Sequence, residues 1–257
     1  MSQNVESLSP HLNHPSVKGT RQTRIGMIVP SSNTCLEPQT YRILGPREDV
    51  TVHSTRISVT RIALDKQSDH QFDVGSMQSA AELLKTADVD VIAWNGTSGS
   101  WLGAAHDREI TDCISDATGV PATTSTLAYL EIFNRFHISK IALLTPYTTD
   151  VNEQVAESYG HEGLEVVESR CLGLSDNESF ANASLQELLP KSRELLSNTP
   201  DCMVYLCTNM YGAPLVEQLE TEFDVPVLDS VAVTLWHALD LAGADALDAR
   251  WGRLLSN

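Results

Sequence analysis

The chain has 257 residues, of which 42% are hydrophobic and 20% are charged. This length and balance are typical of a globular protein with one large domain or two small ones. The formal net charge of −17 disfavours nucleic acid and anionic membranes as partners, because both repel an acidic surface. No apolar run approaches the roughly 18 residues that a membrane-spanning helix needs, which argues against an integral membrane protein.

The cysteines predict a reducing compartment. Five are present, no Cys-x-x-Cys pair occurs, and the chain is far longer than a disulfide-stapled mini-domain. The polar N-terminal residues lack the apolar core of a signal peptide. We therefore expect a cytoplasmic protein with reduced thiols and a disordered tail over residues 1–22.

After this tail, short apolar or β-branched runs alternate with segments of helical periodicity. In the first part, strands are predicted at Arg24–Val29, Val50–Ser58, Asp90–Trp94 and Val120–Thr124, and helices at Gln71–Thr86, Asp107–Thr118 and Ser125–Phe136. In the second part, strands are predicted at Lys140–Thr145, Leu164–Cys171, Cys202–Leu206 and Val225–Leu228, and helices at Val151–Tyr159, Ser184–Ser197, Pro214–Phe223 and Val231–Leu241. Such alternation predicts parallel βαβ units.

The second part repeats the pattern of the first. Three pairs of segments match in the same order and at similar offsets: Arg24–Pro30 with Lys140–Pro146, Asp90–Thr97 with Asp201–Thr208, and Val120-Pro121 with Val225-Pro226. We predict an α/β fold of two pseudo-symmetric Rossmann-like halves, each with a parallel sheet, and a cleft between them. The first half covers residues 23–124 and the second covers residues 125–230.

Ligands of open parallel sheets bind beyond the carboxyl ends of the strands. Four loops at those ends are expected to meet in the cleft: Pro30–Thr34, Asn95–Ser100, Pro146–Thr149 and Cys207–Tyr211. They are rich in hydroxyl groups, amides and glycine, and they contain no Lys, Arg, His, Asp or Glu. Such a cleft can bind a carboxylate through neutral donors and free backbone N–H groups.

Cys207 is the candidate reactive group, because it follows a strand and precedes a turn. Backbone amides at such a position are expected to lower the pKa of the thiol from about 8.5. Cys207 could then act as an acid or a base in carbon chemistry. We interpret the other four cysteines as small packed side chains.

Other kinds of site find little support in the sequence. No Gly-x-Gly-x-x-Gly follows the first strand, and neither a P-loop motif nor a Gly-x-Ser-x-Gly elbow occurs. The histidines are not paired at metal-ligand spacing. A nucleotide site, a metal centre and a serine hydrolase are therefore disfavoured.

Five stretches of the chain share one family resemblance: Arg24–Thr34, Gly96–Ala105, Pro146–Glu153, Asp176-Asn177 and Cys207. They resemble the aspartate/glutamate racemase superfamily, in particular its maleate cis-trans isomerases and arylmalonate decarboxylases. The resemblance implies a cofactor-independent reaction on a small dicarboxylic acid, with Cys207 as the catalytic residue. It also implies that residues 231–257 join the first half, and it leaves a homo-oligomer open.

The same resemblance implies a set of substrate-binding residues at the four loops and at one further segment. They are Pro30, Ser31, Asn33, Gly96, Thr97, Ser98, Tyr147, Asn177, Thr208 and Asn209. Among them, Thr97, Ser98, Tyr147 and Thr208 are expected to hold a carboxylate through hydroxyl and backbone donors.

One position departs from most of the family. By the internal repeat, Gly96 corresponds to Cys207, whereas the racemases and maleate isomerases of this superfamily use one cysteine from each half. Its decarboxylases show the same Gly and Cys pattern, although Thr208-Asn209 replaces their Gly-Gly, and Asn33 and Asn177 are isomerase-like.

These features predict a decarboxylase of a substituted malonate or similar dicarboxylic acid, in which Cys207 protonates an enediolate. A maleate isomerase-like enzyme is the first alternative, with another residue in place of the missing cysteine. A non-catalytic carboxylate-binding protein is the second.

Overall fold

The computed structural model describes residues 21–257, so residues 1–20 of the predicted tail lie outside it. The first ten elements are β1 (Thr23–Pro30), α1 (Leu36–Leu44), β2 (Val50–Ile57), α2 (Lys66–Asp69), α3 (Val74–Lys85), β3 (Val91–Trp94), α4 (Gly99–Leu102), α5 (Ala104–Thr118), β4 (Ala122–Thr124) and α6 (Ser125–Arg135). The remaining eight are β5 (Lys140–Thr145), α7 (Thr149–His161), β6 (Glu165–Cys171), α8 (Leu185–Leu196), β7 (Cys202–Tyr205), α9 (Val216–Phe223), β8 (Val227–Asp229) and α10 (Ser230–Leu241).

The strands form two four-stranded parallel sheets with the same order, β2-β1-β3-β4 and β6-β5-β7-β8. The central strands β1, β3, β5 and β7 are short apolar runs that are buried along most of their length, as helices on both faces of a parallel sheet require. This duplicated order confirms the predicted α/β fold of two similar halves.

The two halves meet along α6 and α10, each of which follows the last strand of its sheet. Thr124 caps the N-terminus of α6, and Asp229 caps that of α10. The Thr234 hydroxyl donates to Ser125 Oγ at 2.8 Å, which joins the two helices through a buried hydrogen bond. Helix α10 contacts α1, β3 and β4 as well as α6 and β8, so it lies against both sheets.

Most predicted elements are present with shifted ends, but α1 was not predicted. Its sequence carries Pro38, which breaks a helix interior but is tolerated in the first turn, where the missing N–H has no intrahelical partner. Helix α3 begins at Val74 because Asp73 caps it by accepting from the Ser76 N–H. No helix in the described part of the chain is long and apolar enough to cross a membrane.

Candidate active site

The four polar loops meet between the halves, as the sequence predicted. Thr97 Oγ1 and Tyr147 Oη lie 2.6 Å apart, which joins the loop after β3 to the loop after β5. Asn33 Nδ2 donates to Thr208 Oγ1 at 3.1 Å, and Thr208 Oγ1 donates to the Asn95 carbonyl at 2.9 Å. Each of these bonds crosses from one half to the other.

These loops enclose a cavity of about 20 Å³, which is room for one water-sized molecule. Its lining comprises Pro30, Val59, Ile62, Phe72, Trp94, Gly96, Thr97, Ser98, Trp101, Tyr147, Asn177, Cys207 and Thr208. No Lys, Arg, His, Asp or Glu of residues 21–257 belongs to this lining. A dicarboxylic acid therefore requires the walls to move apart, and it would meet neutral donors and apolar side chains.

Two segments, residues 58–72 and residues 172–183, pair with each other beside the cavity. The Ile62 N–H donates to the Ser175 carbonyl at 2.9 Å, and the Asn177 N–H donates to the Thr60 carbonyl at 3.1 Å, so the two segments pair in an antiparallel bridge. The bridge joins the two halves, and both of its segments contribute to the cavity lining.

Cys207 lines the cavity and is buried. The Asn209 N–H donates to its sulfur at 3.3 Å. Burial raises the pKa of the Cys207 thiol to about 12, while the Asn209 N–H and the Tyr147 hydroxyl act in the opposite direction. The expected lowering of this pKa is therefore wrong, because the loss of hydration outweighs the stabilisation from a backbone amide.

The other four cysteines lie outside the cavity lining. Cys35 and Cys202 are buried, whereas Cys113 and Cys171 are partly exposed. The placement of Cys35 and Cys202 agrees with the interpretation as packed side chains, whereas Cys113 and Cys171 are packed less completely.

Gly96 also lines the cavity, and its missing side chain has a structural reason. A Cβ atom built on Gly96 would lie 2.2 Å from Cζ2 of Trp94 and 2.4 Å from Cε2. The indole thus fills the space that a side chain at position 96 would need. Its Nε1 donates to Ser98 Oγ at 3.3 Å, which ties the ring to the same loop.

Three predicted site residues lie behind the lining and hold it in place. Asn33 Oδ1 accepts from the N–H groups of Cys35 and Leu36 and thereby caps α1. Ser31 exchanges hydrogen bonds with the backbone of Val59.

Asn209 Oδ1 accepts from the N–H groups of Thr34 and Cys35. Its Nδ2 donates to the carbonyl of Asn177, whose own side-chain amide donates to Ser32 Oγ. The other eight predicted residues, namely Pro30, Gly96, Thr97, Ser98, Tyr147, Asn177, Cys207 and Thr208, lie in the lining itself.

Sequence reasoning missed the apolar side of the cavity. Val59, Ile62 and Phe72 come from the long connection after β2, and Trp94 and Trp101 flank the loop after β3. A signal was available for Val59 and Ile62, since apolar residues in a segment outside the predicted elements need some other surface to pack on. The indole of Trp101 packs edge-on against the rings of Phe72 and Tyr147.

Each half also places one buried carboxyl group behind its active loop. Asp107 accepts from Thr124 Oγ1 at 2.5 Å and packs against Gly99, and burial raises the pKa of Asp107 to about 6. Asp229 accepts from the N–H groups of Val231, Ala232 and Ala213. Burial raises the pKa of Asp229 to about 6 as well.

The comparison with known proteins places this geometry in a family. The arylmalonate decarboxylase family model matches residues 25–255, which is most of the chain. The chain belongs to this family. The match covers both halves and all four loops, so the predicted resemblance is confirmed.

Relatives with two different activities share this fold. A maleate isomerase from Alcaligenes faecalis is 25% identical over 246 residues, which cover 91% of this chain and 96% of the relative. An arylmalonate decarboxylase from Bordetella bronchiseptica is 29% identical over 176 residues, which cover 67% of this chain and 73% of the relative. The crystal structure of a maleate isomerase from Pseudomonas putida S16 with maleate superimposes with a TM-score of 0.84 at 25% identity, covering 92% of this chain and 98% of that one.

Proposed function

We propose that this protein is a cofactor-free decarboxylase of a substituted malonate or a similar small dicarboxylic acid. One carboxylate of the substrate leaves as CO2 when its bond to Cα breaks, and the electron pair forms an enediolate with the carboxylate that stays. The S–H proton of Cys207 then moves to Cα. The resulting thiolate regains a proton from solvent before the next turnover.

The pairing of Cys207 with Gly96 carries this proposal. Among the residues that the structure describes, Cys207 is the single thiol in the cavity lining. The Trp94 indole occupies the place where a second thiol at position 96 would stand. A reaction that needs a thiol on each face of the substrate lacks its second thiol here. Protonation of an enediolate needs only a single thiol.

The protonation state of Cys207 supports the same reaction. With a pKa of about 12, the thiol keeps its proton at neutral pH and can donate it. Addition of sulfur to a double bond, in contrast, requires the thiolate, which is a very small fraction of a thiol with that pKa.

The lining offers one polar and one apolar place for the two carboxylates of the substrate. We assign the carboxylate that stays to the hydroxyl groups of Thr97, Tyr147 and Thr208 and to the loop of Ser98, which can donate hydrogen bonds as enediolate charge develops. We assign the leaving carboxylate to the side that Val59, Ile62 and Phe72 form. A desolvated carboxylate is destabilised there, and its loss as neutral CO2 relieves that cost.

Maleate isomerisation is the second candidate. Maleate isomerases are among the relatives that align over nine-tenths of this chain. In addition, Asn177 lines the cavity, and Asn33 bonds to Thr208 of the catalytic loop. In this case, a group other than a thiol at position 96 would have to assist Cys207.

A substrate screen separates the two reactions. The purified enzyme is incubated with phenylmalonate and with maleate, and products are followed by proton NMR in D2O. Decarboxylation predicts phenylacetate that carries deuterium at Cα, together with no fumarate. Fumarate formed from maleate, with phenylmalonate left unchanged, would overturn the proposal in favour of the isomerase. A rise in Tm with either acid, without turnover of any, would indicate a carboxylate-binding protein.

A further inference from the structure

One tryptophan that lines the cavity carries a buried hydrogen-bond donor without a partner among the described residues. Trp94 and Trp101 both line it, and the Nε1–H of Trp94 is bonded to Ser98 Oγ. The Nε1 of Trp101 is buried and has no hydrogen-bond partner among residues 21–257. A buried N–H without a partner costs about 1–3 kcal/mol, so an unpaired N–H on a residue of the lining points to an acceptor that a ligand brings.

The surroundings of Trp101 limit the chemistry of that acceptor. Its ring packs edge-on against Phe72 at 5.8 Å and against Tyr147 at 5.3 Å between ring centroids. Apolar side chains of Val59 and Ile62 belong to the same lining. A carboxylate on this side is destabilised, as proposed for the leaving group, so an acceptor that binds stably to the Trp101 N–H has to be neutral.

The leaving carboxylate is a poor partner for a second reason. A hydrogen bond to that group would stabilise the substrate more than the transition state, in which its charge is being lost, and would slow the reaction. A neutral oxygen on the substituent keeps its charge distribution throughout the reaction. Such an oxygen can accept from Trp101 without this penalty.

We propose that Trp101 is a specificity-determining residue whose indole N–H binds a neutral oxygen atom on the substituent of the substrate. This inference rests on the proposed decarboxylase function, and it names the substrate class as malonates whose substituent carries an ether, hydroxyl or carbonyl oxygen. Trp101 distinguishes these substrates from hydrocarbon isosteres, because an isostere leaves the N–H unpaired.

A pair of isosteric substrates tests the preference. Methoxymalonate and ethylmalonate differ by one oxygen in place of a methylene group. The ratio of kcat/KM for methoxymalonate to that for ethylmalonate includes the intrinsic reactivity of the two acids, which the enzyme and its variants share. In Trp101→Phe, this ratio should fall about twofold to tenfold, the range for one neutral hydrogen bond. A ratio that is the same in the enzyme and in Trp101→Phe would overturn the inference.

Trp251→Phe is the matched control. The Nε1 of Trp251 is also buried without a partner in the described part of the chain, but Trp251 does not line the cavity. Its replacement should leave the ratio of the two substrates unchanged. A loss of preference in Trp251→Phe as large as in Trp101→Phe would show a general effect of tryptophan loss, and it would contradict the assignment to Trp101.

A binding measurement keeps the inference separate from turnover. The chain has four tryptophans, so a sample labelled with ¹⁵N-tryptophan gives four indole N–H resonances, which the two Phe variants help to assign. In Cys207→Ser protein, methoxymalonate should move the Trp101 resonance further downfield than ethylmalonate does, while the Trp251 resonance stays.

The outcomes separate the two proposals. If both malonates are decarboxylated and the Trp101 resonance responds equally to them, the inference is wrong and the decarboxylase assignment stands. If neither malonate moves any indole resonance or raises Tm, the inference is wrong, and the phenylmalonate assay decides the decarboxylase assignment. If both malonates bind without turnover, the resonance of Trp101 alone decides the inference.

Discussion

The two halves have the same strand order but carry different residues at equivalent strand ends. In the first half the Asn95 N–H donates to the Ile28 carbonyl, and in the second the Leu206 N–H donates to the Leu144 carbonyl, so the residues that follow, Gly96 and Cys207, are structurally equivalent. At this position the two halves therefore differ in the side chain that follows an equivalent strand.

The aromatic residue two positions earlier explains that difference. The Trp94 ring fills the space that a side chain at position 96 would need. The equivalent Tyr205 directs its hydroxyl to Ser192 Oγ at 2.6 Å and packs its ring where a side chain at Gly212 would lie. The different directions of the Trp94 and Tyr205 rings thus leave room for a side chain at position 207 but not at position 96. The duplicated fold can therefore present a single acid, the Cys207 thiol, to one face of a ligand.

Cys207→Ser should have the largest effect on this asymmetry. A hydroxyl is a much weaker acid than a thiol, so the variant should lose about 10²- to 10⁴-fold in kcat/KM. Steady-state assays on the substrate found in the screen measure this, with circular dichroism as the check on folding. The control is Cys113→Ala, since Cys113 is half-buried on α5 and lies outside the cavity lining. Near-normal turnover in Cys207→Ser would show that Cys207 is not the proton donor.

The buried carboxyl groups provide a second comparison of the halves. The folded-state pKa of Asp107 is about 6, against an ordinary value of 3.8. Between about pH 4 and pH 6 the folded protein therefore holds a proton that the unfolded chain has released, and stability falls as pH rises. This shift is worth about 3 kcal/mol, so Asp107→Asn should gain that amount relative to the unsubstituted protein between pH 4 and pH 7.

Asp229→Asn should show the same pH dependence and an added cost at every pH. Asp229 Oδ2 accepts from the Ala213 N–H, and an amide nitrogen in that place would leave the N–H unpaired, at about 1–3 kcal/mol. Asp107 Oδ1 has no such partner among the described residues. Urea unfolding of the three proteins from pH 4 to pH 8 measures both effects. Parallel pH profiles of unfolding free energy for the three proteins would show that folding raises the pKa of neither Asp107 nor Asp229.

The fold could be predicted because hydrophobic periodicity and the internal repeat both determine it. Buried strands such as Lys140–Thr145 are continuous apolar runs that few other structures explain. Helix α1 was not predicted, because Pro38 suggests a break in the helix. Only the capping contact from Asn33 shows that the proline lies in the first turn. Capping by a residue outside the helix is a tertiary detail that periodicity does not report.

The cavity lining could be predicted at the strand ends and, beyond them, only at Asn177. The rule that loops at carboxyl ends form the ligand site identified Thr97, Tyr147, Cys207 and Thr208. The pKa of Cys207 could not be predicted, because it depends on burial from every side rather than on the local loop. The apolar wall was missed for a similar reason, since the segment after β2 lines the cavity and pairs with residues 172–183 of the other half, which are distant in the sequence.

Tyr147→Phe tests the bond that joins the halves at the polar side of the cavity. The Tyr147 hydroxyl lies 2.6 Å from Thr97 Oγ1, and a charge-assisted bond from it to the substrate is worth roughly 1.5–3 kcal/mol. We expect kcat/KM to fall about tenfold to a hundredfold. Tyr129→Phe is the control, because Tyr129 is equally buried and bonded but lies outside the lining. Equal losses in both variants would indicate a structural role for Tyr147.

The smallest effect is expected from restoring symmetry at position 96. Gly96 is not among the residues with positive φ, so its backbone accepts a side chain, and the obstacle is the Trp94 ring. Gly96→Cys alone should overpack the loop and cost about 1–3 kcal/mol of stability. Trp94→Leu/Gly96→Cys removes the ring from that space and places a thiol opposite Cys207.

The double variant should then exchange the α-hydrogen of a chiral 2-arylpropionate with deuterium and racemise it slowly, because one thiol must first lose its proton. Trp94→Leu alone has the same cavity and lacks the second thiol, so it should leave the acid unchanged. Proton NMR in D2O and chiral chromatography measure both reactions. A double variant that folds and binds the acid, but neither deuterates nor racemises it, would show that positions 96 and 207 do not address opposite faces of one carbon atom, and the mechanism drawn from the duplicated halves would have to be abandoned.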